Sequence, residues 1–167
     1  MRALILALIL ASLTGLTAHA TPQETEYTGP EVTQIYVSKE RRKLYLLHQN
    51  DVLKEYKIQL GFAPEGHKRE RGDGRTPEGL YMIDRRNENS RYHLSLGISY
   101  PNRKDLAAAQ AAGIDPGGEI FIHGENDRGP SKRDWTAGCI AVENYEMKEI
   151  WANMEIEFAP VPIVIYH

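Results

Sequence analysis

One cysteine, Cys139, and one histidine placed sixteen positions upstream, His123, are the residues whose types and spacing could do chemistry. A lone cysteine with a histidine elsewhere in the fold is the pattern of a thiol nucleophile and its base. A free thiol titrates near ~8.5 and is mostly protonated at neutral pH, so a neighbouring imidazole must take its proton. Acyl transfer at the thiol would also need donors for an oxyanion. The backbone N–H groups of Gly138 and Cys139 are the candidates, because glycine lets successive amides turn toward one point. Asn144, read as the cap of a following helix, starts an element whose N-terminus favours negative charge nearby. The bland alternative is a buried, inert Cys139 beside a structural His123. A metal site drawn from Cys139, His123, His93 and Asp127 is disfavoured, since no HxH or CxxC pair is present.

The elements that must position this pair begin after an export segment. Arg2, the apolar run Ala3–Leu16 and the small residues Ala18-His19-Ala20 read as a secretory signal peptide over residues 1–20. The apolar run is shorter than the ~20 residues that span a bilayer, so no membrane span is expected after cleavage. Residues 21–30 read as a flexible lead-in, and residues 31–167 as one catalytic domain. An exported chain usually pairs its cysteines, and a single one cannot make an internal disulfide.

Within 31–167 the pattern is mainly β. Val32–Val37, Lys43–His48 and Val52–Leu60 read as three strands of an antiparallel meander. The Gly-, Pro- and charge-rich stretch Gly61–Gly79 reads as a long functional or mobile loop. Leu80–Ile83 and Tyr92–Ile98 read as strands flanking a polar loop at Asp84–Ser90. Asn102 is the expected N-cap, and Gly113 the stop, of a helix over Lys104–Ala112. Glu119–His123 and Cys139–Val142 are short apolar segments. Asn144 is then expected to cap a helix to about Met154, with Met147, Ile150, Trp151 and Met154 on its core face. Val161–Tyr166 is the last strand. The basic pieces Lys39–Lys43 and His67–Arg71 read as solvated turns, and His48, His67 and His167 as surface residues.

Four pieces in order resemble the L,D-transpeptidase catalytic domain (YkuD-like) family of bacterial cell-wall enzymes. They are the opening strands Ile35–Leu60, the Thr76-Pro77-Glu78-Gly79 turn with Leu80-Tyr81, Ile122-His123-Gly124, and Thr136-Ala137-Gly138-Cys139-Ile140. The resemblance implies a mainly β (α+β) fold, a β-sandwich or barrel with short helices. It implies Cys139 as nucleophile, His123 as base, the Gly124 carbonyl orienting the imidazole and the N–H groups of Gly138 and Cys139 as oxyanion hole. It also implies peptidoglycan stem peptides as substrate, with no metal and no cofactor. Two positions depart from the family wording: Ala137 replaces a histidine and Ala141 an arginine. The Asp134-Trp135-Thr136-Ala137-Gly138-Cys139 wording is closer to a sub-branch that includes murein–lipoprotein hydrolases. The expected activity is therefore a periplasmic L,D-transpeptidase-like cysteine acyltransferase. Its alternatives are a hydrolase of stem-peptide or lipoprotein links and a non-catalytic wall-peptide binder, with an exported thiol protease behind them.

Tyr92, His93, Ser95, Tyr100 and Asn102 are candidate groove residues, and Arg133, Trp135 and Thr136 candidate substrate contacts ahead of the cysteine. The formal charge is −3, and loss of Arg2 makes it −4. Such a chain has no general attraction for nucleic acid or anionic lipid. The expected partners are wall peptides and a wall-anchored lipoprotein.

Overall fold

The computed structural model describes residues 29–125, 132–154, 156 and 159–167. The export segment, all but the end of the lead-in, and Asp127 lie outside the described residues. Eight strands form one sheet: β1 Gln34–Ser38, β2 Lys43–His48, β3 Asp51–Lys57, β4 Gly79–Asn87, β5 Ser95–Ile98, β6 Ile120–His123, β7 Ile140–Ala141 and β8 Val161–Tyr166. Two helices, α1 Arg103–Ala112 and α2 Asn144–Ala152, complete the elements among the described residues. The strand order is β3-β2-β1-β8-β4-β5-β6-β7. β1 with β8 and β6 with β7 are parallel pairs, and the other neighbours are antiparallel.

The sheet curls until its edges meet. Past β3 the chain bridges to the far edge, with Gln59 opposite Ala141 and Gly61 opposite Thr136. The amides and carbonyls of Gln59 and Ala141 exchange hydrogen bonds of 2.8 and 2.9 Å. This closure satisfies edge groups that would otherwise be open to another chain. The period-two residues Ile35, Val37, Leu44, Leu46, Ile122, Ile163 and Ile165 fill the interior. Each such aliphatic side chain contributes about 1.5–3 kcal/mol when buried.

The meander β1-β2-β3 is as expected, and β2 and β8 occupy the expected spans. Asn102 caps α1, accepting from the Lys104 and Asp105 amides, and Gly113 ends it at φ 67°. Four local readings are corrected. β4 runs on through the expected loop to Asn87, because Arg85 and Arg86 lay their guanidinium groups over Phe121 and Trp151. β5 starts only at Ser95, because His93 is left-handed at φ 72°. The N-cap position of α2 is Glu143, and Asn144 instead accepts the Glu125 amide at 2.7 Å. Lys39 is no solvated turn residue: it is 1% exposed and reaches Glu78 at 2.8 Å and the Thr76 carbonyl at 3.0 Å.

Candidate active site

Cys139 and His123 come together through the parallel pair β6–β7. Ile122 is level with Ile140 and His123 with Ala141, so Cys139 is level with Phe121. Ile120, Ile122 and Ile140 point into the core. By strand alternation, His123 and Cys139 occupy the opposite face, two positions apart along adjacent strands. His123 is 4% exposed. Its Nδ1 is 2.6 Å from the Gly124 carbonyl, an acceptor only, so Nδ1 carries the hydrogen and Nε2 keeps its lone pair. At Gly124 an added Cβ would crowd Asn144 Oδ1 and stand 3.0 Å from the Tyr92 carbonyl, so a larger residue there would displace the Asn144 side chain.

Burial lowers the His123 pKa below the usual imidazole range, against the hydrogen bond with Gly124 that raises it. Burial also pushes the Cys139 thiol up, with the Phe121 backbone N–H and the Lys68 charge acting the other way. The thiol donates to the Glu119 carbonyl at 3.6 Å. Both shifts favour the uncharged forms, thiol and neutral imidazole, so a proton must move before sulfur can attack.

The turn carrying Cys139 is pinned from three sides. The Thr136 hydroxyl donates to the Cys139 carbonyl at 2.7 Å and accepts the Gly138 amide at 3.2 Å. Of the two amides expected to form an oxyanion hole, that of Gly138 is bonded to the Thr136 hydroxyl. Gly138 has φ 133°, and a Cβ there would meet the Arg75 carbonyl at 2.7 Å. A Cβ on Gly61 would meet the Gly74 carbonyl at 2.0 Å and Gly138 Cα at 2.9 Å. Gly61, Gly74 and Gly138 therefore pack main chain on main chain beneath the cysteine. Asp134 takes Arg42 in a two-pronged pair of 3.1 and 2.9 Å and also accepts the Leu60 amide at 3.1 Å. Lys39 ties down the loop before β4 through Thr76 and Glu78.

An aromatic pair holds the imidazole. The Tyr92 ring stacks on His123 with centroids 4.6 Å apart and planes 27° apart. Trp135 meets His123 edge-on at 5.7 Å and Tyr92 at 5.8 Å. The sulfur opens into a cavity of about 190 Å³ lined by Lys68, Arg71, Gly117, Glu119, Ala137 and Cys139, among others. A larger hollow of about 420 Å³, lined by residues including Arg69, Asp73 and Arg75, does not include Cys139. His123 lines neither hollow, so the smaller one is assigned to the site by Cys139 alone.

The candidate residues divide accordingly. Tyr92, Trp135 and Thr136 join the Cys139–His123 pair. Ser95 is buried and level with His123 on β5. His93 lies beside Tyr92 with its Nε2 buried and without a hydrogen-bond partner among the described residues. Tyr100 is 5% exposed with its hydroxyl on the Pro116 carbonyl, and the Asn102 side chain caps α1. Arg133 is an exposed side chain, 4.0 Å from Asp134. Sequence reasoning missed Lys68, which is 3% exposed and paired with Asp73 at 2.8 Å, and with it Arg71, Glu119, Arg42 and Lys39. A charge run reads as solvated when its distant partners are unknown. The one available signal was the length of the Gly61–Gly79 loop. His67 is also not simply a surface residue: it accepts the Glu78 amide at 3.0 Å and pairs with Asp105 at 3.2 Å.

Residues 33–163 match the family described as YkuD, L,D-transpeptidase catalytic domain. The chain is 31% identical over 164 residues to "Putative L,D-transpeptidase YafK" of Escherichia coli, covering 89% of this chain and 61% of that protein. Its fold is similar to the helical cell shape determining protein Pgp2 of Campylobacter jejuni. There the TM-score is 0.64 and identity 25%, over 84% of this chain and 49% of that one. It is also similar to Bd1075 of Bdellovibrio bacteriovorus, with TM-score 0.61 and identity 26%, over 81% and 48%. The chain thus spans about three fifths of the length of YafK and about half that of the solved relatives. With the match covering most of its length and the curled, mainly β sheet that the resemblance implied, the chain belongs to the YkuD family of L,D-transpeptidase catalytic domains.

Proposed function

We propose that the chain is a cysteine acyltransferase acting on peptidoglycan stem peptides, exported by residues 1–20 and active in the periplasm. The observation that carries this reading is the His123 tautomer: Nδ1–H on the Gly124 carbonyl leaves Nε2 as a base on the face that also carries Cys139. His123 Nε2 takes the thiol proton and Cys139 Sγ attacks the carbonyl carbon at the L–D bond. The carbon–nitrogen bond breaks, and the leaving amine departs with the proton returned by His123. The Cys139 N–H faces the developing oxyanion. An acceptor amine then attacks the thioester, the carbon–sulfur bond breaks, and the proton returns to sulfur through His123. No metal and no cofactor enters these steps.

A hydrolytic second reading is favoured by Ala137 and Ala141. Water would resolve the same thioester, trimming stem peptides or detaching a wall-anchored lipoprotein. Pgp2 is a helical cell shape determining protein, and a role in shape fits either outcome for the wall. Purified protein and its Cys139→Ala variant, each incubated with lipoprotein-bearing sacculi, are read by mass spectrometry of the muropeptides. New cross-links or exchanged terminal residues, absent with the variant, are expected for transfer. Lost links and released lipoprotein without new bonds are expected for hydrolysis. Full activity of Cys139→Ala would overturn the mechanism, and a thiol that labels slowly with an ordinary titration would point to a wall-peptide binder.

A further inference from the structure

The cavity at Cys139 carries an imbalance of charge. Three ionisable side chains besides the thiol line it: Lys68, Arg71 and Glu119. Both cations already have carboxylate partners. Lys68 Nζ sits 2.8 Å from Asp73 Oδ1 and also donates to the Glu70 carbonyl at 3.0 Å. Arg71 Nε sits 2.7 Å from Asp115 Oδ2. Asp73 accepts the Arg69, Glu70 and Arg75 amides as well, so it is committed to its place. Among the described residues no ion pair and no hydrogen bond engages the Glu119 carboxylate. The same residue supplies the carbonyl that receives the thiol at 3.6 Å. Gly117 at φ 76° and Glu119 itself at φ 54° turn the chain there, and Glu119 is an exposed residue on the rim of the cavity that Cys139 also lines. At about 190 Å³ the hollow is smaller than the ~300 Å³ of ordinary small-molecule sites, and it suits one residue of a peptide.

We propose that Glu119 is a specificity-determining residue that receives a substrate ammonium group beside the thioester. The proposal rests on the acyl-transfer reading above and names the chemistry its substrate must carry. One unmatched carboxylate among two matched cations selects a positively charged group. Two sources share that chemistry: an amine on the side chain of the acyl donor, and the amine that accepts the acyl group, which docks as ammonium and gives up one proton to solvent before it attacks.

The test separates binding from turnover. In the Cys139→Ala background, affinity is measured by calorimetry for a short peptide ending in L-lysyl-D-alanine and for its Nε-acetyl-lysyl counterpart. The free-amine peptide is expected to bind about tenfold tighter, which is ~1.4 kcal/mol. Glu119→Gln in the same background is expected to erase that difference, and Glu119→Asp to retain part of it. A preference that survives Glu119→Gln would overturn the donor-side assignment. The acceptor side is read with Cys139 present, by intact mass spectrometry of the acyl-enzyme and its decay with added glycyl amine at fixed pH. Aminolysis slowed more than hydrolysis in Glu119→Gln assigns the ammonium to the acceptor. Equal behaviour of Glu119→Gln and the unaltered protein in both arms would overturn the proposal. An absent acyl-enzyme in the unaltered protein would instead overturn the acyl-transfer reading, while the binding arm still reports on Glu119.

Discussion

The chemistry of the site turns on two groups whose shifts run in opposite directions. Burial holds the His123 imidazole neutral below its usual range and keeps the Cys139 thiol protonated above its own. The neutral pair therefore occupies a pH window widened at both ends. The acid limb of kcat/KM is expected below ~6.5, and alkylation of Cys139 by iodoacetamide should not level off by pH ~8.5, the reference values of the two groups. For stability the signs are the same. The unfolded histidine binds its proton more readily, so stability falls as pH drops through ~6.5. The unfolded thiol loses its proton more readily, so stability falls as pH rises through ~8.5. Denaturant midpoints at pH 5, 7.5 and 9.5 check both slopes. Tyr92 acts on the same imidazole by stacking. Tyr92→Phe should keep the ring contact and near-full activity, whereas Tyr92→Leu should lose about 0.5–1.5 kcal/mol of it and several-fold in kcat. Kinetics of the two variants side by side check this. The cysteine and the histidine were legible in the sequence because each has a chemistry of its own, whereas the Gly124 carbonyl entered only through the family resemblance. Lys68 and Glu119 were not legible, because their meaning depends on partners brought in by the fold.

At the level of elements, the cysteine turn depends on contacts from chain segments far away. Asp134 joins Arg42 of the β1–β2 turn to the Leu60 amide after β3. Asp134→Ala leaves the guanidinium and the amide without their acceptor and should cost about 1–3 kcal/mol, with a larger fractional loss of activity than of stability. Urea unfolding together with thioester formation measures the two losses. Lys39 is a heavier case, because the buried ammonium is compensated chiefly by Glu78. Burial lowers its pKa and Glu78 raises it. Glu78→Ala should therefore cost up to about 3–5 kcal/mol, the effect of stranding a buried charge, while Lys39→Met should cost less. Comparing the two variants by thermal unfolding is the check. Strand identity was legible wherever apolar residues alternate, as in β2 and β8. The continuation of β4 was hidden because Arg85 and Arg86 read as loop residues until Phe121 and Trp151 are seen beneath them. The α1 cap was legible because capping is local, and the true cap position of α2 was not, because Asn144 bonds to a residue outside its own helix.

Seen whole, the molecule is one sheet rolled until the strand end at Gln59–Gly61 meets the segment Thr136–Ala141. No helix among the described residues is long and apolar enough to cross a membrane. The three-glycine contact lies at the closure, and Gly61→Ala is expected to break it by forcing a Cβ against the Gly74 carbonyl. The cost should reach or exceed about 4 kcal/mol, the range reserved for severe core or backbone disruption. Circular dichroism during chemical denaturation should show that loss directly. A mainly β domain was legible from strand periodicity, but the rolling was not, since the bridges join main-chain atoms of segments whose side chains give no hint of pairing. The closure also ties reactivity to assembly. Asp134 meets Leu60 and Gln59 across 74 and 75 residues of intervening chain, contacts that carry a loop-closure entropy cost. The nucleophile sits at this junction of distant segments. A chain in which the junction is open would carry its thiol away from the Thr136 and Glu119 partners that hold that turn, so reactivity at Cys139 doubles as a report that the sheet is closed.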